Sequence, residues 1–420
     1  MAENGKAILV IGGGMAGMTA AIETAETGCE VILVEKEPYL GGRVARMNQY
    51  FPKLCPPTCG LEINFRRIKN NPRITVFTGA EVEKLSGRPG DYEVTLRLNP
   101  RYVTDACTLC GDCTAVCPAE RTDDFNYGLG KTKAAYLPHQ MAFPARYVID
   151  RQACQSGCTA CQEACKYGAI DLTQQEERKT FLVAAVVAAT GWSPYDASKI
   201  DNLGYGKYPN VVTNVVMERL ASPNGPTGGK ILRPSDGKEP ASVAFLQCAG
   251  SRDENHLPYC SAVCCSASLK QATYVREQYP EAKIVIFYID IRTPGRLEDF
   301  YTKVGADDKL ELIKGKAAKV EEDPDTGQLL VTAEDTLSGK RITVRVDLVV
   351  LATGIVPNTS GLPADFVRDE FGFLTNPPGK TGVYCAGCVR RPEEVSATVQ
   401  DGTGAALKAY QIAVRSANHG

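Results

Sequence analysis

Eight cysteines in two blocks constrain this chain more than any other feature. They read Cys107-Thr-Leu-Cys110-Gly-Asp-Cys113-Thr-Ala-Val-Cys117-Pro118 and then Cys154-Gln-Ser-Gly-Cys158-Thr-Ala-Cys161-Gln-Glu-Ala-Cys165. The first block has the C-x2-C-x2-C-x3-C-P spacing of a two-cluster iron–sulfur segment. There, three thiolates on a short loop wrap one corner of a cube, and the fourth reaches across to the other cluster. The spacing therefore assigns Cys107, Cys110, Cys113 and Cys165 to one [4Fe–4S] cluster, and Cys154, Cys158, Cys161 and Cys117 to a second. The second block departs from the pattern twice, with a first gap one residue longer and Lys166 where proline is usual. A zinc site or disulfides are the competing readings. Zinc takes one tetrahedral set of ligands, not two interlocked ones.

The remaining composition narrows the class. A chain of 420 residues has room for two or three domains with sizeable cores. A net charge of −2 gives no electrostatic case for nucleic acid as a partner. Seventeen cysteines behind an N-terminus that reads Met1-Ala-Glu-Asn-Gly-Lys, with no signal-peptide pattern, suit metal ligands in a reducing cytoplasm better than disulfides. The longest apolar run, Phe181 to Trp192, is shorter than the roughly 18 residues a membrane span requires.

The N-terminal stretch carries a second motif. Residues 6–11 read as a buried strand, Gly12-Gly13-Gly14-Met15-Ala16-Gly17 follows, Met18 to Thr27 reads as a helix, and a second strand from Cys29 to Val34 ends at Glu35. This is G-x-G-x-x-G between strand and helix, with an acid about 20 residues on. Gly12 permits the tight turn, Gly14 lets the backbone approach a pyrophosphate at the helix N-terminus, and Gly17 lets helix and strand pack closely. Glu35 accepts from ribose hydroxyls in this scheme. Cys29 and Cys385 read as strand residues of the core.

Gly41-Gly42-Arg43 resembles the segment by which glutathione-reductase-like flavoproteins pass the pyrophosphate and flavin, which favours FAD over NAD. Val187-Ala-Ala-Thr190-Gly191 and Val350-Leu-Ala-Thr353-Gly354 resemble the two crossings between that superfamily's dinucleotide domains. Gly382-Val-Tyr-Cys385-Ala-Gly387-Cys388 resembles its flavin-side turn, with Cys388 where the family has Asp, and the helix Ala397 to Ala413 would point its N-terminus at the flavin. The resemblance implies FAD contacts at Gly12, Gly14, Met15, Ala16, Gly17, Glu35, Lys36, Gly42, Arg43, Val82, Thr190, Gly191, Gly354, Gly387, Cys388 and Thr398.

Comparing the two halves exposes an insertion. After a strand at 74–77, strands at 81–84 and 92–98 begin a β-meander whose closing strand, Lys179 to Ala189, lies beyond the cysteine segment. The equivalent second meander, Ala317 to Glu322, Gln328 to Ala333 and Arg341 to Val346, is uninterrupted. Between them, a strand from Ser242 to Gln247, a helix from Ser266 to Gln278 and a strand from Lys283 to Ile289 form a middle dinucleotide-type domain, reached through an exposed loop from Asn224 to Pro240.

That domain lacks its glycine motif. Cys248-Ala-Gly-Ser-Arg252 and Tyr259-Cys260-Ser-Ala-Val-Cys264-Cys265 stand there instead, which suggests a third cluster on Cys248, Cys260, Cys264 and Cys265, with buried structural thiols or a redox dithiol as alternatives. Cys55-Pro-Pro-Thr-Cys59 reads equally as a redox dithiol, a donor to the third cluster or a rigid turn. His139, His256 and His419 read as surface or loop residues, and Asp253-Glu254 and Glu393-Glu394 as solvated turns.

Together, Gly41-Gly42-Arg43, the Cys55/Cys59 pair, the inserted segment and Gln247-Cys248-Ala-Gly-Ser-Arg-Asp253…Tyr259-Cys260-Ser-Ala-Val-Cys264-Cys265 resemble the A subunit of heterodisulfide reductase, HdrA, over nearly the whole chain. The layout lacks the N-terminal extension and C-terminal ferredoxin segment of the long HdrA form. It looks most like QmoA, the A subunit of the quinone-interacting membrane-bound oxidoreductase of sulfate reducers. That resemblance implies an electron-transfer subunit linking the quinone pool to adenylylsulfate (APS) reductase. Its partners would be an HdrA-like B subunit and a haem b-containing membrane C subunit, and it would sit in the cytoplasm, attached peripherally to the membrane through them. The alternative is the flavin-bifurcating subunit of a soluble heterodisulfide reductase complex. The expected fold is α/β: a two-dinucleotide-domain FAD fold like glutathione and thioredoxin reductases, with an inserted α+β 2[4Fe–4S] ferredoxin domain. Its segments are FAD-binding 1–100, ferredoxin insert 101–175, meander and connection 176–235, second dinucleotide-type domain 236–350 and FAD-binding return 351–420. No acid–base pair is required, and no catalytic residue is assigned.

Overall fold

The computed structural model describes residues 7–363, 366–376 and 382–417, so that Lys6 of the first expected strand and His419 lie outside the described residues. Two compact units emerge. One comprises residues 1–45, 58–192 and 357–420, and the other residues 46–57 and 193–356.

The first unit is built on a seven-stranded sheet. Its order is Ile74–Thr78, Val31–Glu35, Ala7–Ile11, Glu177–Ala188, Asp91–Leu98, Ala80–Arg88, with Val383–Cys385 also paired to Glu177–Ala188. The Glu177–Ala188 strand shows how sequence sets two roles in one element. Its first half, Glu-Arg-Lys-Thr-Phe-Leu, is mixed polar and apolar, leaves one face to solvent and pairs antiparallel with Asp91–Leu98. Its second half, Val-Ala-Ala-Val-Val-Ala, is apolar at every position, is buried on both faces and pairs parallel with Ala7–Ile11 and Val383–Cys385. Small side chains let helices cover this part closely. A Cβ at Gly402 of the helix Val395–Ala417 would stand 2.7 Å from the Ala16 carbonyl oxygen of the helix Met15–Glu26.

Residues 99–176 leave the sheet between two directly paired positions, Leu98 and Glu177. They contain short strand pairs, Glu120–Thr122 with Lys131–Lys133 and Ala135–Tyr136 with Val148–Ile149, and the one-turn helices Asp112–Ala115 and Ala160–Ala164. Arg101 fastens the root of this excursion. Its guanidinium donates to the carbonyls of Pro38, Arg146 and Tyr147 at 2.6, 2.7 and 3.0 Å.

The second unit repeats the plan. Its five-stranded parallel sheet has the order Val211–Thr213, Leu348–Thr353, Ser242–Ala249, Lys283–Tyr288, Leu310–Lys314. An antiparallel meander, Ala317–Glu322, Leu329–Asp335 and Lys340–Val346, packs on one face through Leu246, Phe287, Val320, Leu329, Val331 and Leu351.

Several element boundaries differ from expectation. The first helix begins at Met15, directly after Gly14, and the last spans Val395–Ala417. The middle helix is Cys264–Gln278, so that two cysteines sit in its first turn. The second strand is Val31–Glu35. Cys29 therefore precedes it, only half-buried, whereas Cys385 lies in its strand and is buried. Glu393 is not a solvated turn residue: its side chain is 7% exposed and pairs with Arg391. Among the described residues no helix is long and apolar enough to cross a membrane.

Candidate flavin and iron–sulfur sites

The glycine loop does three separate jobs. Gly12 has φ +107°, and a Cβ there would lie 2.3 Å from the Ala189 carbonyl oxygen. A Cβ at Gly17 would lie 1.8 Å from the Gly12 carbonyl oxygen. These two glycines serve packing. Gly14 is different, since a Cβ built there meets nothing within 4 Å. That open side stands at the N-cap of Met15–Glu26, which has no side-chain cap and no acid in its first turn. The free N–H groups of Met15 and Ala16 thus fit a pyrophosphate, the anion of a dinucleotide.

Glu35, at the end of its strand, is buried. It accepts from the N–H of Gly13 at 2.5 Å and of Glu37 at 2.8 Å. Burial pushes its carboxyl up to about 7, against the pull of those two N–H donors. A carboxylate has about four acceptor positions, so lone pairs remain for ribose hydroxyls. Lys36 is exposed and pairs with Glu81 at 3.3 Å. Val82 is a buried strand residue in the core of the sheet.

Other expected FAD residues gather on the same unit. The Gly41 N–H donates to the Gly13 carbonyl at 2.8 Å, and a Cβ at Gly42 would stand 3.0 Å from the Gly14 Cα. Arg43 donates to the Trp192 carbonyl at 3.0 Å and the Tyr127 hydroxyl at 3.3 Å, so it ties the glycine segment to the inserted residues. The turn at Thr190 and Gly191 is closed by Asn358: Thr190 Oγ1 donates to its carbonyl at 2.6 Å, and its N–H donates to the Gly191 carbonyl at 3.0 Å.

Gly387 packs against Ala16 and Thr398, and Cys388 is buried, with its sulfur 3.4 Å from the Glu393 carbonyl. Asp401, which sequence reasoning missed, accepts from the Gly387 N–H at 2.7 Å and pairs with Arg390. An acid on the outgoing helix thus braces the turn in which Cys388 replaces the usual Asp. Its only sequence signal was a lone acid in a helix rich in alanine.

The spacing read the eight clustered thiols as two sets of four. Cys107, Cys110, Cys113 and Cys165 line one cleft of about 330 Å³, together with Tyr147 and Tyr167. Burial, and then Cys154, Cys117 and Cys158, push the Cys161 thiol upward. Cys113 is pushed up to about 11, chiefly by burial. Among the described residues no group of His, Cys, Asp or Glu converges to hold a single metal ion. A [4Fe–4S] cube instead takes its thiolates at separate corners around a volume. Its iron would supply the positive charge that buried thiolates otherwise lack. Lys166, in the place usual for proline, reaches Asp112 of the first block at 3.3 Å.

Cys248, Cys260, Cys264 and Cys265 also come together. Cys264 is raised first by burial and then by Cys248, Cys265 and Cys260. Cys248, Cys264 and Cys265 are buried, and Cys260 is half-buried. The loop that carries them holds three non-glycine residues at positive φ: Cys248 at 56°, Arg252 at 53° and Ala262 at 58°. Strained backbone of this kind persists only where its surroundings dictate it, and it concentrates at functional sites. Gly354 lies against this loop, since a Cβ there would meet Ser251 Oγ at 2.4 Å and Ser261 Oγ at 3.1 Å. Cys248 also lines a polar cleft of about 880 Å³ with Asn202, Asp253, His256 and Lys316. His256 is not a free surface residue but pairs with the Tyr195 hydroxyl at 2.8 Å, and Lys316 pairs with Asp253 at 2.6 Å. Cys55 and Cys59 are exposed, Cys59 in the first turn of the helix Thr58–Asn70.

One buried ion pair in this unit had no sequence signal. Lys270 and Glu218 are 3% and 8% exposed and 2.9 Å apart. Glu218 also accepts from Gln271, Tyr274 and the Asn48 N–H, and Lys270 donates to the Gln49 carbonyl. Residues 48 and 49 are thereby fastened to the helices Asn214–Ala221 and Cys264–Gln278.

Comparison with known proteins agrees with this geometry. Residues 7–55 match the family model described as FAD dependent oxidoreductase. The fold is that of thioredoxin reductases: the Lactococcus lactis enzyme superposes with a TM-score of 0.56 at 14% identity, covering 98% of this chain and 99% of that one. The T. acidophilum enzyme gives 0.54 at 14% identity, covering 97% and 99%. In sequence, the chain is 40% identical over 430 residues to the A subunit of the ferredoxin/F(420)H(2)-dependent CoB-CoM heterodisulfide reductase of Methanosarcina acetivorans, a match that covers 98% of this chain and 54% of that protein. It is also 40% identical over 419 residues to an iron-sulfur A subunit of the CoB–CoM heterodisulfide reductase of Methanopyrus kandleri, covering 96% and 63%.

Over nearly its whole length the chain is similar to HdrA.

It is an oxidoreductase subunit with an FAD-binding fold. These relatives overturn the expected place between a quinone pool and APS reductase, because they are named as heterodisulfide reductase subunits. The two expected partner subunits and the membrane attachment rested on that reading alone. The chain spans less than two-thirds of these relatives, 54% and 63% of their lengths.

Proposed function

We propose that this chain is the FAD and iron–sulfur electron-transfer subunit of a heterodisulfide-reductase-type complex, of the flavin-bifurcating kind. The observation that carries the reading is the coexistence of an open glycine cradle at Gly14 with three separate sets of four cysteines. In this reading, residues 101–175 form an inserted ferredoxin domain with two [4Fe–4S] clusters, and Cys248, Cys260, Cys264 and Cys265 hold a third. The partners are the other subunits of such a complex.

FAD, when bound, supplies exchange between two-electron and one-electron transfer, and clusters carry single electrons. The residues of the chain then position and tune. The Gly14 corner and the first-turn N–H groups of Met15–Glu26 hold the pyrophosphate, and Glu35 orients the ribose. Arg43 links the flavin segment to the cluster-bearing insertion through Tyr127. The middle sheet has lost the glycines that let a backbone approach NAD(P)H. Electrons therefore enter by another route.

Iron and flavin analysis of the purified chain tests this. About twelve irons, at four per cluster, and one FAD are expected. A flavin-free chain, or rapid stoichiometric bleaching of the flavin by NADH or NADPH, would sink the reading. Co-purification with native partners followed by a disulfide-reduction assay tests the complex itself.

A further inference from the structure

We propose that Arg252, Asp290 and Arg292 form a charge clamp that raises the reduction potential of the cluster held by Cys248, Cys260, Cys264 and Cys265. The inference rests on that cluster assignment.

The geometry has three parts. The first is a shared carboxylate. Arg252 Nη1 pairs with Asp290 Oδ1, and Arg292 Nε donates to Asp290 Oδ2 at 3.3 Å, so each oxygen takes one guanidinium. The second is position beside the thiols. Arg252 lies four residues after Cys248, and Arg292 lies two residues after Asp290, whose backbone meets a thiol. The Cys265 sulfur in turn lies 3.7 Å from the Asp290 carbonyl oxygen.

The third part is what holds Arg252 in place. It has φ +53°, and its N–H donates to the Tyr259 carbonyl at 3.0 Å, one residue before Cys260. The backbone at positive φ folds the loop back so that its guanidinium meets Asp290. A surface arginine needs no such conformation.

The arithmetic of charge gives the direction. Two guanidiniums against one carboxylate leave one net positive charge beside the sulfurs. A cluster bound by four thiolates is anionic and gains a further negative charge on reduction. Positive charge near the sulfurs therefore favours the reduced form. Side-chain exposure of 23%, 46% and 48% for Arg252, Asp290 and Arg292 places the clamp at the rim of the site, so salt weakens it without abolishing it.

The position in the fold supports this reading. In the first unit the acid ending the second strand, Glu35, serves the glycine loop. In the second unit the acid just past the corresponding strand, Lys283–Tyr288, serves the cysteine loop through two arginines.

The test is a redox titration of the full-length chain followed by low-temperature EPR, with iron and FAD content measured first. Arg252→Gln and Arg292→Gln are each expected to shift the third cluster to a more negative midpoint while leaving the two clusters of the inserted segment unmoved. Arg292→Lys is expected to retain most of the wild-type value, and Asp290→Asn to shift it the other way. Unchanged midpoints in both glutamine variants, at full iron content, overturn the clamp and leave the cluster assignment standing. A loss of iron without a shift in the cluster that remains also overturns it, because that is the mark of a scaffold. A wild-type chain with only about eight irons, at four per cluster, removes the cluster assignment first and the clamp with it.

Discussion

In the first unit, the strand Ala7–Ile11 reaches its helix at Met15 through residues 12–14, all glycine. In the second, Ser242–Ala249 reaches its helix at Cys264 through residues 250–263. The two corners hold the same place in sheets whose neighbouring strands run in the same order. The short corner offers backbone: side chains are absent where a Cβ would strike Ala189 or Gly12, and the helix N-terminus is left bare. The long corner offers side chains: Cys260 within it and Cys248, Cys264 and Cys265 at its ends, with Arg252 and Ala262 at positive φ. Bare N–H groups suit the diffuse anion of a dinucleotide, whereas fixed thiolates suit iron. One topology thus serves two kinds of cofactor, and the difference lies in what fills a single turn.

The comparison breaks most readily through a pair of substitutions with opposite outcomes. Cys264→Ser is expected to lose about a third of the iron, one cluster of three at four irons each, and to keep its FAD. Gly17→Ala is expected to lose FAD and roughly 1–3 kcal/mol or more of stability, because its methyl group has no room beside the Gly12 carbonyl. Iron-to-flavin ratios and thermal melts read both, and a common loss of both cofactors in each variant would mean that the corners are not independent.

A finer cut distinguishes cradle from packing inside the glycine loop. Gly14→Ala is expected to cost less than about 1 kcal/mol of stability, since its Cβ meets open space and its φ is −77°. It should nevertheless bind FAD more weakly. Wild-type flavin affinity in this variant would show that the open side does not face the cofactor.

Glu35 gives a pH signature that the cysteine corner lacks. Burial raises its carboxyl to about 7 in the folded, flavin-free chain, above the ordinary carboxylate value. Its contribution is therefore full at acid pH and declines as pH rises through about 7, by on the order of 3 kcal/mol at most. Melting curves of the flavin-free chain between about pH 5 and 8 should fall for the wild type and flatten for Glu35→Gln. Parallel curves would show that the buried carboxyl does not titrate there.

The smallest effect belongs to Lys166. Its pair with Asp112 is exposed on both sides, so Lys166→Ala should change stability by less than about 1 kcal/mol and leave the iron content alone. Loss of a cluster in that variant would give the departure from proline a structural role it does not need in this account.

Much of this was legible in the chain because it is local. The glycine spacing, the apolar strand runs and the iron–sulfur spacing all place chemistry within a few residues, and the insertion between Leu98 and Glu177 followed from comparing two meanders. The earlier helix starts at Met15 and Cys264 have one cause: Gly17, Cys264 and Cys265 read as loop residues, yet each lies in the first turn of its helix. The expected place at a quinone pool had no residue behind it, and comparison with relatives corrected it.

The sequence by itself determined the strands flanking the glycine loop and the two meanders, because these follow from periodicity and short spacing. Only the tertiary structure decided which long-range partners steady the sites. Asp401 beneath Gly387, Glu218 beside Lys270, and Asp290 between Arg252 and Arg292 are each brought to a partner that lies more than a helical turn or two away along the chain. No local pattern marks such partners, since a charged residue finds its counterpart only when the fold brings distant segments within a few ångströms.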